Sequence, residues 1–411
     1  MQTALADFIR DTDDGREAEA ILRRCVHCGF CTATCPTYQL LGDELDGPRG
    51  RIYLMKQVLE GQPATESTQL HLDRCLTCRS CETTCPSGVE YGKLVEIGRR
   101  VVDEQVGRSV AQRAVRATLK EGLTSSMFAP AMRLGQAVRP LLPGFLKAKV
   151  PLRRDPGRWP SRTHARRIVM LEGCVQPSMS PGINTATARV ADALGIEVLR
   201  PSTAGCCGAI RLHLNDREPA LDDMRRNVDA WHPLLEAGAE AIVINASGCG
   251  ALIKEYGWQL RDDAAYAERA ALVSARSIDL GEWLAGFEAE LAERVDRTAA
   301  SHVAYHPPCT LQHGQQSRGF VEQLLRSLGF EVSLPADSHL CCGSAGTYSV
   351  LQPELAGQLR ERKVSALEAT GAPTICSSNI GCITHLEGGS ALPVLHWIEL
   401  VDAAMKRHRS P

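Results

Sequence analysis

The chain has 411 residues, a formal net charge of −2, 5% aromatic residues and 17 cysteines. That length suits two or three domains with cores of their own, and the near-neutral charge and scarce aromatics argue against a nucleic-acid partner. An odd cysteine count, a polar and acidic opening stretch unlike a signal peptide, and no apolar run near the about 18 residues of a membrane span point to a cytoplasmic, metal-binding protein rather than a disulfide framework.

The first elements are two copies of one motif. Residues 25–36 read CVHCGFCTATCP and residues 75–86 read CLTCRSCETTCP. Each is C-x2-C-x2-C-x3-C-P, the run that binds [4Fe–4S] clusters in bacterial ferredoxins. A cubane offers four iron corners to four thiolates. Two residues between ligands let a tight loop wrap three corners. The fourth cysteine, ahead of a proline that directs the chain away, points toward a second cluster. On the two-cluster ferredoxin pattern, one cluster takes Cys25, Cys28, Cys31 and Cys85, and the other takes Cys75, Cys78, Cys81 and Cys35. Structural zinc also uses C-x2-C pairs, but a four-cysteine run closed by proline, twice over, is specific to clusters. Gly29 is expected to let the backbone approach the cluster, and His27 to be exposed or hydrogen-bonded. Residues 1–100 are read as this two-cluster unit.

Residues 101–167 read as a helical segment and a basic, Pro-rich linker. Within it, MFAPAMRLGQAVRPLLPGFL (127–146) is apolar. Core packing is its expected use, with a partner or a membrane surface as the alternative. Residues 147–167 carry eight Lys/Arg against one acid, with three prolines. They read as a solvated linker, with docking to an acidic partner or anionic lipid as the alternative.

Beyond residue 168 the chain repeats itself again. Cys174, Cys206, Cys207 and Cys249 return as Cys309, Cys341, Cys342 and Cys382, the first three shifted by 135 residues and the last by 133. In each copy strands and helices alternate: RRIVMLEGC is a strand ending at Cys174, and AIVINASGC runs another into Cys249. This predicts parallel α/β units whose cysteines converge at strand C-terminal ends. The modules are expected over 168–256 and 302–405, joined by a helical connector, 257–301. Adjacent cysteines are poorly placed to bond each other, because neighbouring Cα atoms lie about 3.8 Å apart and a relaxed disulfide spans about 4.4–6.8 Å. Four converging thiols suit a further cluster; a metal-free redox set or plain packing are the alternatives. Gly208 and Gly343 are expected to supply left-handed or crowded backbone. Cys376 reads as core, and His306, His313, His339 and His385 as satisfied structural histidines. No dinucleotide fingerprint, P-loop or serine-triad signature stands out, so the chain reads as a relay between partners. The expected fold class is α+β multidomain: a mostly helical, two-cluster ferredoxin-like domain (an alpha-helical ferredoxin) followed by two duplicated α/β CCG modules.

This architecture resembles the iron–sulfur subunits of bacterial glycolate oxidase (glycolate dehydrogenase). The likeness runs through ILRRCVHCGFCTATCPTYQLLGDELDGPRGRIYLMKQVLEG, HLDRCLTCRSCETTCPSG, MLEGCVQP, GCCGA, ASGCGA, CTLQH, DSHLCCGSAGTY, NIGC and HWIE, nearly the whole chain. The cysteine motifs alone are shared with the iron–sulfur subunit of anaerobic glycerol-3-phosphate dehydrogenase, lactate-utilisation proteins and heterodisulfide reductase. The long stretch after the first motif narrows the choice. The resemblance implies an electron-transfer subunit with two [4Fe–4S] clusters, room for further clusters at the CCG modules, and no substrate site of its own. FAD would sit only in flavin-binding partner subunits that oxidise glycolate to glyoxylate. Electrons would pass to a quinone or another acceptor, in a complex that is cytoplasmic or peripheral to the cytoplasmic face of the inner membrane. A related substrate (glycerol-3-phosphate or lactate), or thiol/disulfide reduction at a CCG site, are the alternatives. There is one departure. The CCG motif of heterodisulfide reductase ends in C-x2-C and can hold a noncubane cluster, whereas Ala246 and Asn379 stand three residues before Cys249 and Cys382. The missing thiolates count against such a cluster and against disulfide-reducing catalysis.

Overall fold

The computed structural model describes residues 1–143 and 150–406. The last three residues of the apolar stretch, 144–146, and the first three of the basic linker, 147–149, lie outside the described residues.

The N-terminal unit is helical. Thr12 caps the helix Asp13–Arg24, its side chain accepting from the Gly15 amide, and the helix delivers Cys25 at its C-terminal end. Ala18, Ile21 and Leu22 recur at helical spacing and are fully buried. They pack on Ile52, Met55 and Leu59 of the helix Pro48–Leu59 and on Leu94, Val95, Val101 and Val102 of the helix Tyr91–Val106. That last helix runs through residue 100 with its apolar stripe intact, so the unit extends beyond the 1–100 limit read from the sequence.

The helix Val110–Thr124 opens with a capping box between Ser109 and Gln112. Glu121 and Lys120 tie it to Arg211 and Asp216 of the following module. The helix Phe128–Ala137 buries none of its residues, and Met127, Leu134 and Leu141 are exposed, Leu141 by 85%. Core packing, the expected use of this stretch, is not what the structure shows. The basic linker is held rather than free. Arg154 pairs with Glu387, Arg162 with Asp192, and Trp159 lies under the Arg200 guanidinium.

Two four-stranded parallel sheets follow. The first contains β1 (Arg166–Met170), β2 (Ile196–Leu199), β3 (Ile242–Ile244) and β4 (Ser277–Asp279) in the order β2-β1-β3-β4. The second contains β5 (His302–His306), β6 (Glu331–Ser333), β7 (Ile375–Ser377) and β8 (Val394–His396) in the order β6-β5-β7-β8. β3 is an apolar, fully buried run, and β1 becomes one from Ile168 onward after two arginines, as expected of parallel strands covered on both faces. In register, Val169 lies opposite Ile242 and Tyr305 opposite Cys376, a core residue as expected. One reading needs correction. The 257–301 segment is more than a helical connector, because β4 lies within it and completes the first sheet.

The two modules share one core, in which Ile168, Val243 and Leu284 join Tyr305, Ile375 and Trp397. His396 Nε2 donates to the Asn245 carbonyl at 2.9 Å, and the Ser247 amide donates to the Ser378 carbonyl at 3.1 Å. Among the described residues, no helix is long and apolar enough to cross a membrane.

Candidate metal centres

The loops Cys25–Gly29 and Cys75–Arg79 are built alike. His27 (φ 55°) and Gly29 (φ 86°) adopt left-handed backbone, and so do Thr77 (54°) and Arg79 (59°) at the matching positions. These turns aim amides inward. The Thr77 amide donates to Cys75 Sγ at 3.4 Å, and the His27 amide acts on Cys25 in the same way. Inward amides of this kind form an anion cradle. A hydrogen bond of 3.3 Å between Thr84 and Thr34 joins the two motifs near their ends.

The fourth cysteines change partners. Cys85 joins Cys25, Cys28 and Cys31 around one small cavity, which Cys81 also borders, while Cys35 joins Cys75, Cys78 and Cys81 around another. The donor chemistry fits [4Fe–4S] groups. Burial, reinforced by neighbouring thiols, pushes Cys31 up to about 11 and Cys78 and Cys81 well above the ordinary thiol value. An iron core held among these sulfurs would supply the positive charge that their thiolate forms need.

The two sets differ in surroundings. The first reaches the surface: Cys28 is exposed, flanked by Val26 and Phe30, which are 67% and 61% exposed. The second lies inside. Burial works to raise the Cys75 thiol, yet Arg51, Arg99, the Thr77 amide and the Tyr91 hydroxyl together hold it below its usual value. Tyr91 donates to Cys75 Sγ at 3.6 Å. Arg51 is buried against Thr37 (3.1 Å) and Asp46 (3.4 Å). Tyr91, Arg51 and Arg99 escaped the sequence reading, because they come from helices with no fixed spacing to the motifs.

In each module the cysteines gather at the C-terminal ends of the two central strands. Cys174 follows β1, and Cys249 lies in the first turn of the helix Ser247–Ile253, which follows β3. β1 connects outward to β2 and β3 to β4, so this crevice is the switch point of the sheet. Gly208 and Gly343 both have φ of 92°. A Cβ on Gly343 would stand 2.7 Å from the Ala356 carbonyl oxygen, and one on Gly208 3.0 Å from that of Ala220. In the first module Cys206 interacts with both Cys174 and Cys207, and Cys207 with Cys249. In the second, Cys309 and Cys341 sulfurs are 3.6 Å apart, Cys341 adjoins Cys342, and Cys342 adjoins Cys382. Where a fifth thiolate is missing, Asn379 donates to Cys382 Sγ at 3.4 Å and accepts from the Gly248 amide of the other module at 3.2 Å.

The histidines divide. His313 is held between Thr83 Oγ1 (2.9 Å) and the His339 carbonyl (2.8 Å), and His385 donates to the Ala356 carbonyl at 3.2 Å. Nε2 of His306 and Nε2 of His27 are buried without a partner, contrary to the satisfied or exposed rings expected.

The inner set abuts the second module. Leu76 and Cys78 pack with Cys309, Cys341, Tyr348 and Leu359, and the nearness of Cys309 adds to the upward push on the Cys78 thiol. Arg79 forms a bidentate ion pair with Glu255 of the first module. Between the units lies a cavity of about 460 Å³ bordered by Cys75, Thr77, Arg99, His213, Cys341 and Cys382. His213 is exposed and borders this cavity; desolvation by the protein around it, with Arg99 and Arg79, pushes it down to about 4.

Comparison with known proteins agrees with this division. A 4Fe-4S dicluster domain family matches residues 21–89, and a cysteine-rich (CCG) domain family matches 168–254 and 303–387. The glycolate oxidase iron-sulfur subunit of Escherichia coli (strain K12) is 52% identical over 409 residues, covering 99% of this chain and all of that one. The chain belongs to the glycolate oxidase iron–sulfur subunit family. A second relative, the probable glycolate oxidase iron-sulfur subunit of Bacillus subtilis (strain 168), is 30% identical over 407 residues, 91% of this chain and 90% of its own. Lactate utilization protein A of Shouchella clausii is 24% identical over 236 residues, 56% of this chain and 96% of its own. As a member of the glycolate oxidase iron–sulfur subunit family, the chain is a ferredoxin-type 4Fe–4S protein with two CCG domains and an α+β multidomain fold.

Proposed function

We propose that the chain is the electron-relay subunit of a glycolate-oxidising complex. A flavin-bearing partner oxidises glycolate to glyoxylate, this subunit carries the electrons, and a quinone or another acceptor receives them. FAD belongs to the partner. The observation that carries this reading is the alignment of two four-thiol sets, one open at the surface and one buried beside a ligand-sized cavity.

The outer cluster is assigned to Cys25, Cys28, Cys31 and Cys85, the inner to Cys75, Cys78, Cys81 and Cys35. When bound, each cluster supplies a one-electron carrier. The chain's own residues set the conditions for transfer. Val26 and Phe30 offer an apolar rim at which the partner docks close to Cys28. Arg51, Arg99 and Tyr91 favour added negative charge on the inner cluster and so draw the electron inward. The cavity beside Cys75 has the size of a small-molecule site and is the assigned place of the acceptor. The thiols Cys174, Cys206, Cys207 and Cys249, and Cys309, Cys341, Cys342 and Cys382, are assigned to further cofactor sites, and of these Cys309, Cys341 and Cys382 border the cavity. The subunit acts in the cytoplasm, and the exposed Met127, Leu134 and Leu141 support a peripheral hold on the inner membrane.

Anaerobically purified protein is expected to contain roughly eight iron atoms in its ferredoxin-type unit, with matching sulfide and EPR signals of two reduced clusters. The complex should reduce quinone with glycolate as donor and not with glycerol-3-phosphate or lactate. Undiminished glycolate-dependent quinone reduction in cells lacking this chain would refute the relay.

A further inference from the structure

The second module departs from the first at one buried position. His306 ends β5, three residues before Cys309; the 135-residue repeat matches it to Leu171, a buried aliphatic. His306 is 1% exposed. Its Nδ1 lies 3.0 Å from Ser377 Oγ, and that hydroxyl directs its single proton to the His306 carbonyl oxygen, 2.9 Å away. The hydroxyl oxygen must therefore accept from the ring. This fixes the ring proton on Nδ1 and leaves the Nε2 lone pair bare. Nε2 has no hydrogen-bond partner, and it lies with Cys342 and Cys382 in a buried trio whose ligand atoms are all within 4.8 Å of one another.

We propose that the second CCG module holds a single divalent metal ion of the zinc type through His306 Nε2 and the thiolates of Cys342 and Cys382. Three features carry this. A buried acceptor without a donor is rare in native proteins, and a metal satisfies it. The Ser377 hydroxyl is the outer partner that fixes the tautomer of a metal-ligating imidazole. Compactness favours one ion: around a tetrahedral centre with bonds of about 2.0–2.3 Å, ligand atoms stand roughly 3.3–3.8 Å apart. A cubane instead spreads its thiolates over four irons. Trios this close occur at two places among the described residues; the other, Asp43, Asp46 and His71, already has Arg51 and Arg74 on Asp46. Asn379 donates to Cys382 Sγ and so treats that sulfur as an acceptor, and Cys341, adjoining Cys342, is at hand for the fourth position. The first module, with Leu171 in place of the imidazole, lacks this site. The proposal is independent of which substrate the partner oxidises.

The test is metal analysis with zinc-edge X-ray absorption on the full chain purified anaerobically. About one zinc per chain is expected beside the cluster iron, with sulfur and imidazole nitrogen in its first shell. His306→Leu should remove the nitrogen and most of the zinc while both cluster EPR signals persist. Ser377→Ala, which frees the ring, should weaken zinc retention against a chelator by about 10–100-fold. A sulfur-only shell in the unaltered protein, or no metal beyond the cluster iron, would overturn the proposal even if His306→Leu fails to fold. The iron count and cluster EPR report separately on the relay.

Discussion

Tyr91 is a single hydroxyl with a measurable electronic consequence. It donates to Cys75 Sγ in the inner set, and such a bond strengthens as the sulfur gains charge on reduction. Tyr91→Phe should therefore lower the reduction potential of the inner cluster by roughly 20–60 mV, one electron and a tenfold equilibrium change corresponding to about 59 mV. The outer cluster should not move, and an EPR-monitored redox titration separates the two. The cysteines themselves were legible in the sequence, because cluster ligation demands fixed spacing. Tyr91, Arg51 and Arg99 were not, since they reach the same sulfurs from helices with no required register. His306 shows the limit from the other side. It looked like one of several interchangeable histidines, and only its bare Nε2 beside Cys342 and Cys382 separates it from His313 and His385.

At the scale of elements, short strands were hardest to read. β4 has three residues, too few to show a period, so it vanished into a helical connector although it completes a sheet. Its last residue has a consequence for stability. Asp279 is buried, caps the next helix by accepting from the Gly281 amide, and is pushed up to about 7 by burial. The unfolded chain releases that proton near its ordinary value of about 4. Stability is therefore lost as pH rises from about 4 toward 7 and stays lower above that window. Asp279→Asn keeps the cap oxygen and removes the charge. Thermal unfolding of this variant should show a gain on the order of 1–3 kcal/mol at pH 8 and a flatter profile between pH 4 and 7. The CCG turns carry an opposite prediction. Gly343→Ala places a methyl against the Ala356 carbonyl at positive φ and should destabilise by on the order of 2–4 kcal/mol, read as a lower denaturant midpoint. These glycines were legible, because a turn between paired thiols and a helix leaves no room for a side chain.

Across the whole molecule, the helical unit is clamped to both modules. Arg79 pairs with Glu255, Thr83 meets His313, and Tyr348 donates to the Arg74 carbonyl at 3.1 Å. None of these pairings is visible in one dimension, for their partners lie far apart in the chain. Val26 and Phe30 of the outer rim are instead exposed. Phe30→Glu should slow electron delivery from the flavin-bearing partner about tenfold or more while iron content and both EPR signals remain, as stopped-flow reduction of the complex would show. The exchange of fourth cysteines has a consequence for biogenesis. In the assignment proposed above, Cys85 of the second motif closes the first set, and Cys35 does the reverse. Filling either cavity thus immobilises a stretch of chain on which the other depends, so the second filling starts from a partly ordered site. Loading becomes all-or-none. Under iron starvation, native mass spectrometry should find empty and fully loaded chains side by side, with half-loaded ones scarce, so that scarcity lowers the number of working subunits rather than the quality of each.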